Sequence, residues 1–130
     1  MMDEKMKDAI VVYRLENADK TLAEVSIHIR NELWNTAINR LYYACYYAVT
    51  ALLINSGIEA KTHVGVRRML AIHYTKTEKL SIKWNKFYTD LFNNRQTGDY
   101  ADFIDFDRKT VEELHEQAAS FIKVIKELIV

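Results

Sequence analysis

Apolar residues recur along most of the chain at steps of three and four, the spacing of one face of an α-helix. Two long stripes are regular: Val11, Leu15, Ala18, Leu22, Val25 and Ile29, and Val111, Leu114, Ala118, Phe121, Ile125 and Leu128. They predict amphipathic helices over residues 3–29 and 107–128. No segment alternates polar and apolar residues for long enough to predict a strand.

The segment between residues 31 and 55 is apolar on two adjoining faces. One face carries Trp34, Ala37, Ile38, Leu41, Ala44, Cys45, Ala48 and Leu52, and the other carries Tyr42, Tyr46, Val49 and Leu53. A helix apolar over so much of its circumference is typical of a central, buried position. We expect Asn31 to cap its start and Gly57 to end it in the left-handed conformation.

Two further helices are predicted between Gly57 and Asp107. The first covers residues 62–74, with Val66, Met69, Leu70 and His73 on its inner side. The second covers residues 81–97 and ends at Gly98, with Trp84, Phe87, Tyr88, Leu91 and Phe92 inward. The predicted fold is all-α: an antiparallel, up-and-down bundle of four main helices plus a shorter fifth, forming a single domain over residues 1–130.

The composition is typical of a globular protein in a reducing compartment. Half of the 130 residues are hydrophobic, and the single cysteine, Cys45, cannot form an internal disulfide, which favours a reducing cytosol. The N-terminus is too charged for a secretory signal, and the longest apolar stretch, residues 41–54, falls short of the ~20 residues of a membrane span. We therefore expect a soluble, cytoplasmic protein that does not contact a membrane.

Charge is balanced overall but unevenly distributed. The zero net charge argues against an electrostatic grip on nucleic acid by the whole surface. Residues 61–86 nevertheless contain seven basic residues and one acidic residue, whereas residues 90–116 contain eight acidic and three basic residues. Either helices of opposite charge lie side by side, or the basic segment binds phosphates or forms half of a self-complementary dimer surface.

Arg95 is the most informative polar position. It follows Leu91 and Phe92 by four and three residues, so it continues the inward face of its helix. A guanidinium there is costly unless it is paired or faces a cleft. Either Arg95 stabilises the end of its helix and pairs with Asp99, or it binds a phosphate, with Asp99 and Tyr100 orienting it.

Two other groups of residues have both a structural and a functional interpretation. Arg40, Tyr43 and Tyr47 share one helix face, where tyrosines either pack in the core or an interface or stack on a base. His63 begins the third predicted helix, where exposed amides and an imidazole favour anions. Alternatively this is an ordinary capped helix start, with Gly65 allowing close packing.

No residue pattern predicts a metal or a cofactor. The other histidines have no partner at metal-ligand spacing, and the aspartates at positions 102, 105 and 107 lack the glycine and closing glutamate of a calcium loop. A glycine-rich phosphate loop, a nucleophile elbow and paired catalytic carboxylates are also missing.

Three ordered segments resemble one family. AINRLYYA at residues 37–44, KTHVGV at 61–66 and LFNNRQTGDY at 91–100 are together similar to the small bacterial and archaeal HEPN-domain proteins. The likeness covers nearly the whole chain. It implies a helical bundle, a homodimer, and frequent pairing with a minimal nucleotidyltransferase in toxin–antitoxin modules.

The resemblance also implies specific site residues. Catalytic relatives cleave RNA without metal, using an arginine, a polar neighbour and a histidine shortly beyond. Arg95 and Gln96 match the first two, but positions 100–102 hold tyrosine, alanine and aspartate. We therefore expect a subunit that binds nucleotide or RNA phosphate, or its nucleotidyltransferase partner, without strong catalysis. With the residues singled out above, the candidate binding residues are Arg95, Gln96, Arg40, Tyr43 and His63.

Two alternatives remain open. One is a metal-independent endoribonuclease toxin that uses Arg95, with Asp99 or Tyr100, across a dimer cleft, where a second arginine would add charge on the phosphate. The other is a purely structural interaction module.

Overall fold

The computed structural model describes the backbone of residues 3–100 and 106–129 and the side chains of residues 3–95 and 106–129. Within these ranges the chain forms helices and no strand, which confirms the predicted all-α bundle. The helices are α1 (Glu4–Arg30), α2 (Trp34–Asn55), α3 (His63–Leu70), α4 (Ile82–Tyr100) and α5 (Arg108–Leu128). None of the helices described is both long and apolar enough to cross a membrane.

Helix α2 is the centre of the bundle, as its two apolar faces predict. It packs against α1, α3, α4 and α5, and residues of both faces are fully buried. The fully buried members include Ile38, Leu41, Tyr42, Ala44, Cys45, Ala48, Val49 and Leu52. Burying one large apolar side chain contributes about 1.5–3 kcal/mol, so this helix supplies much of the hydrophobic stabilisation of the fold.

Side-chain caps define three of the helix starts. Asp3 Oδ1 accepts a hydrogen bond from the Met6 amide at 2.7 Å at the start of α1. Thr62 Oγ1 accepts from the Gly65 amide at 2.8 Å before α3, and Asp107 Oδ1 accepts from the Thr110 amide at 2.8 Å before α5. Each cap satisfies an amide that has no partner within its helix.

The predicted role of Asn31 is wrong. Asn31 caps the end of α1, where its side-chain amide donates to the Ile27 carbonyl oxygen at 2.8 Å. Glu32 takes a left-handed φ of 59°, so the chain reverses direction directly after Asn31. Helix α2 begins after Leu33, which makes no side-chain cap.

The inner side of the third predicted helix also differs from expectation. A π-helical turn, Ala71–Thr75, follows α3. Its hydrogen bonds span one residue more than those of the α-helix predicted there. This shifts the register, so that His73 is exposed and Tyr74 is buried instead. The Tyr74 hydroxyl forms a hydrogen bond with the Ser56 hydroxyl just beyond α2.

Helix α4 passes the predicted stop at Gly98 and is described as far as Tyr100. A glycine inside a helix is less favourable than alanine by only ~1 kcal/mol, which does not by itself end the helix. The inward face is as predicted, with Tyr88 and Leu91 fully buried. Tyr88 stacks on Phe121 of α5, with ring centroids 5.6 Å apart, so aromatic side chains join α4 to α5.

Substitution of Gly57 tests the end of α2. Gly57 has a φ of +71°, its amide donates to the Ile54 carbonyl, and the Ile58 amide donates to the Leu53 carbonyl. A Cβ there would meet nothing within 4 Å, so the loss in Gly57→Ala comes from the backbone alone. We expect Gly57→Ala to lower the free energy of unfolding by about 1–2 kcal/mol.

Urea denaturation measures this loss. Gly57→Asn is the matched control, because asparagine tolerates the left-handed conformation better and should lose less stability than alanine. Equal stability of the alanine variant and the unmodified chain would contradict the assigned role of Gly57.

Candidate functional site

The first residue of α3 lies on the tyrosines of α2. The cap by Thr62 fixes the start of α3, and the His63 imidazole stacks on Tyr46 with centroids 4.4 Å apart. Its Nδ1 atom is 2.8 Å from the Tyr42 hydroxyl oxygen, and the Tyr43 ring meets it edge-on at 5.6 Å. The imidazole is therefore held in one orientation by three aromatic rings.

Arg95 from α4 lies on the same group of rings. Its guanidinium carbon is 4.9 Å from the centre of the Tyr42 ring and 5.4 Å from that of Phe92. The side chain is half-buried, and its Nε atom is buried without a hydrogen-bond partner among the residues whose side chains are described. A buried donor without an acceptor costs about 1–3 kcal/mol, which favours an added acceptor.

Arg67 completes the group and was missed by sequence reasoning. Its guanidinium lies 5.1 Å from the Phe92 ring, and its Nε atom is likewise buried and unpartnered within residues 3–95 and 106–129. One signal could have identified it: Arg67 follows His63 by four residues, so the two share a face of α3. We call Tyr42, His63, Arg67, Phe92 and Arg95 the arginine–histidine cluster.

The cluster has a cationic character without compensating acids. In the described part of the chain, neither Arg67 nor Arg95 forms an ion pair with a carboxylate. Cation–π contacts stabilise each guanidinium by roughly 0.5–2 kcal/mol but leave its positive charge in place. Both guanidinium groups thus bring positive charge to the Phe92 ring, and an anion bound there would be attracted to both.

The protonation states follow from burial and from Arg95. Burial, and then the charge of Arg95, lower the pKa of His63 below its ordinary value of 6.5. Burial raises the pKa of Tyr42 to about 12. At neutral pH the imidazole is thus uncharged and the phenol keeps its proton. We assign the Tyr42 hydroxyl as donor to Nδ1, which puts the ring proton of His63 on Nε2.

The similarity to known proteins extends over nearly the whole chain. The family model described as the HEPN domain matches residues 11–128. The chain belongs to the HEPN family. A UPF0332 protein of Thermotoga maritima is 34% identical over 95% of this chain and 93% of its own length.

Two further relatives of this chain come from Methanocaldococcus jannaschii, and the names of both describe them as candidate toxins. One is 30% identical over 89% of this chain and 79% of its own length. The other is 27% identical over 88% of this chain and 85% of its own length. Family membership confirms the resemblance predicted from the three sequence segments.

The structure brings together several of the predicted site residues of this HEPN chain. Arg95 and His63 both contact Tyr42, and Tyr43 contacts His63. Arg40 joins them indirectly, because its guanidinium lies 4.9 Å from the Tyr43 ring and donates to the Asn39 side chain. The side chains of Gln96, Asp99 and Tyr100 lie outside the described residues, so the roles suggested for them stay predictions.

The chemistry available to the cluster follows from the groups that its side chains present. Among the residues described, no three histidine, cysteine, aspartate or glutamate side chains are grouped so as to hold a metal ion. Cys45 is fully buried, and burial raises the pKa of its thiol, which keeps the thiol protonated and unreactive. The groups that the cluster presents are guanidinium and imidazole donors.

Titration of His63 by NMR tests the proximity of Arg95. We expect a midpoint below 6.5 in the unmodified chain and a higher midpoint in Arg95→Gln, because one source of repulsion is removed. Burial remains in the variant, so the recovery should be partial. Arg108→Gln is the matched control: Arg108 also lies over an aromatic ring, that of Trp34, outside the cluster. An unchanged His63 midpoint in Arg95→Gln would contradict the electrostatic coupling.

Proposed function

We propose that this HEPN chain is a subunit of a toxin–antitoxin-type pair and that its arginine–histidine cluster binds the phosphate of a nucleotide or an RNA. The observation that carries the proposal is the half-buried guanidinium of Arg95, whose Nε has no acceptor in the described structure. The toxin names of two relatives support the pairing with an antitoxin.

A phosphate satisfies the cluster better than a neutral ligand does. Its oxygens accept several hydrogen bonds, and guanidinium groups match them with paired N–H donors. Arg95 and Arg67 are half-buried and form no ion pair among the described residues, so their guanidinium groups have N–H donors for a phosphate. The Nε2–H of His63 contributes a further donor. The surrounding aromatic rings half-bury these donors, which strengthens each charge–phosphate interaction relative to open solvent.

The partners rest on the family resemblance. We infer that the chain forms a homodimer and that its antitoxin is a minimal nucleotidyltransferase in the cytoplasm. Dimerisation would bring a second Arg95 to the same cleft and double the positive charge available to a phosphate. The acidic residues after position 90 and the basic residues before it are compatible with such a self-complementary contact.

Binding to a short single-stranded RNA tests the proposal. We expect Arg95→Gln and Arg67→Gln each to weaken RNA binding by about 10–100-fold, because each variant loses one charge-assisted hydrogen bond in a half-buried site. Arg108→Gln should change binding little, because Arg108 already pairs with Glu32 and Glu112. Fluorescence anisotropy at fixed salt measures the affinities, and circular dichroism checks the fold.

If Arg95→Gln binds RNA as tightly as the unmodified chain, the cluster is a packing element and the chain is a structural interaction module.

A second candidate function, metal-independent RNA cleavage, is favoured by His63. Cleavage needs a base for the 2′-hydroxyl, an acid for the leaving 5′-oxygen, and positive charge near the phosphorus. A neutral imidazole can accept the 2′ proton, and Arg95 can stabilise the added charge. His63 thus provides, from another helix, the imidazole that positions 100–102 lack. Tyr100 is the candidate for the acid, and the Asp99 carboxylate is a second, weaker proton acceptor.

RNA cleavage in EDTA tests this second function. We expect Arg95→Ala and His63→Ala each to abolish cleavage and any growth arrest on expression, whereas exposed Lys123→Ala retains both. Because the base acts in its neutral form and its pKa is lowered, activity should rise with pH through a midpoint below that of a free imidazole and then level off. Intact RNA with the unmodified chain, together with harmless expression, would refute catalysis and leave the binding function.

A further inference from the structure

A groove separate from the cluster lies between α1, α2 and the segment that leads into α3. Its volume is about 590 Å³, which is in the range of small-molecule sites. Three basic side chains line it: Lys7 and Arg14 from α1, and Lys61 before α3. Tyr46 forms an aromatic wall and Ile54 contributes to an apolar floor.

The groove carries an excess of positive charge. Glu59 is its one acidic lining residue, against three basic ones. Lys7 pairs with Glu4 at 3.1 Å, but Glu4 lies outside the lining. Throughout the described side chains, neither Arg14 nor Lys61 pairs with a carboxylate. A half-buried arginine without an acidic partner is unfavourable, and an anionic ligand would compensate it.

Arg14 is also held in position. Its Nη1 donates to the Thr50 hydroxyl oxygen at 3.0 Å, and that hydroxyl donates to the Tyr47 carbonyl oxygen at 2.8 Å. Within the described residues this is the one side-chain hydrogen bond that Arg14 donates, so the other N–H donors of its guanidinium remain for a ligand. A fixed guanidinium loses little conformational entropy when it binds, which favours affinity.

We propose that this groove binds a nucleoside phosphate, with its phosphate on Arg14 and Lys61 and its base against Tyr46 and the apolar floor. A phosphate alone would leave the aromatic wall unused. An acidic peptide would use the cations but has no flat aromatic group for Tyr46. The combination of fixed cations with an aromatic and aliphatic lining matches a ligand that is anionic at one end and planar at the other.

The proposal does not depend on the function proposed for the cluster. The groove uses none of the cluster's arginines, although the two sites are neighbours. The Tyr46 ring lines the groove and stacks on His63 at 4.4 Å, so this one side chain separates them. The nucleoside phosphate is either a free nucleotide or one unit of an RNA strand.

Calorimetric titration of the Arg95→Gln chain isolates the groove, because that background weakens the cluster. The probes are AMP and a short single-stranded RNA. We expect saturable AMP binding that Arg14→Gln or Lys61→Gln weakens by about 10-fold or more. Lys123→Gln, an exposed change outside the groove, should alter the affinity by less than about 2-fold.

The two probes distinguish the sources of the ligand. If AMP and RNA both lose affinity in Arg14→Gln, the groove accepts a nucleotide unit of a strand. If only AMP binds, the ligand is a free nucleotide. Lys61 is exposed and forms no ion pair in the structure described, so Lys61→Gln should keep the fold even if Arg14→Gln, which removes the bond to Thr50, does not.

Three results would overturn the proposal. The first is no saturable binding of either probe, and the second is unchanged affinity in both groove variants. The third is inorganic phosphate, or a polyglutamate peptide, binding as tightly as AMP, because the base would then contribute nothing. None of these results depends on whether Arg95 binds phosphate in the unmodified chain.

Discussion

The burial of one tyrosine ring constrains most of what this molecule can do. Tyr42 has no exposed surface, and its position in the central helix fixes the ring against α3 and α4. Its hydroxyl meets His63, one face neighbours Tyr88, and Arg95 lies over the ring. The contacts that pack Tyr42 are therefore also the contacts that position the site. The hydrogen-bond donors of His63 and Arg95 are thus ordered before a ligand binds.

Among the described side chains, aromatic rings and not carboxylates contact the guanidinium groups of this site. A carboxylate beside Arg95 or Arg67 would neutralise the charge and compete with any anion for the same donors. The faces of Phe92 and Tyr42 stabilise the guanidinium groups while their donors remain available. The same principle applies at the groove, where Arg14 is fixed by the neutral hydroxyl of Thr50. Both regions thus combine ordered donors with uncompensated charge.

Sequence periodicity predicts the helices and the central place of α2, because burial of one helix face is a local property. Asn31 and His73 were misassigned, since a left-handed residue and a π-turn change the register without a distinct sequence signal. The inward direction of Arg95 followed from its spacing to Leu91. Its meeting with His63 and Tyr42 did not, because three separate helices contribute and their packing is not encoded in any one repeat.

His63 lies on α3 and Arg95 lies on α4, and their meeting has a consequence for phosphate binding. In the unliganded site, burial and the Arg95 charge both disfavour the imidazolium form. A phosphate between the two groups would reverse the electrostatic part, because its negative charge would stabilise a protonated imidazole. Phosphate binding and proton uptake at His63 would then be thermodynamically linked. Affinity would increase as pH falls through the imidazole pKa of the complex and would level off below the imidazole pKa of the free chain. A histidine in free solvent, without the arginine, would show much weaker linkage. Arg95 and His63 lie on different helices. The electrostatic coupling between them therefore depends on their arrangement around the Tyr42 ring and not on a spacing along one helix.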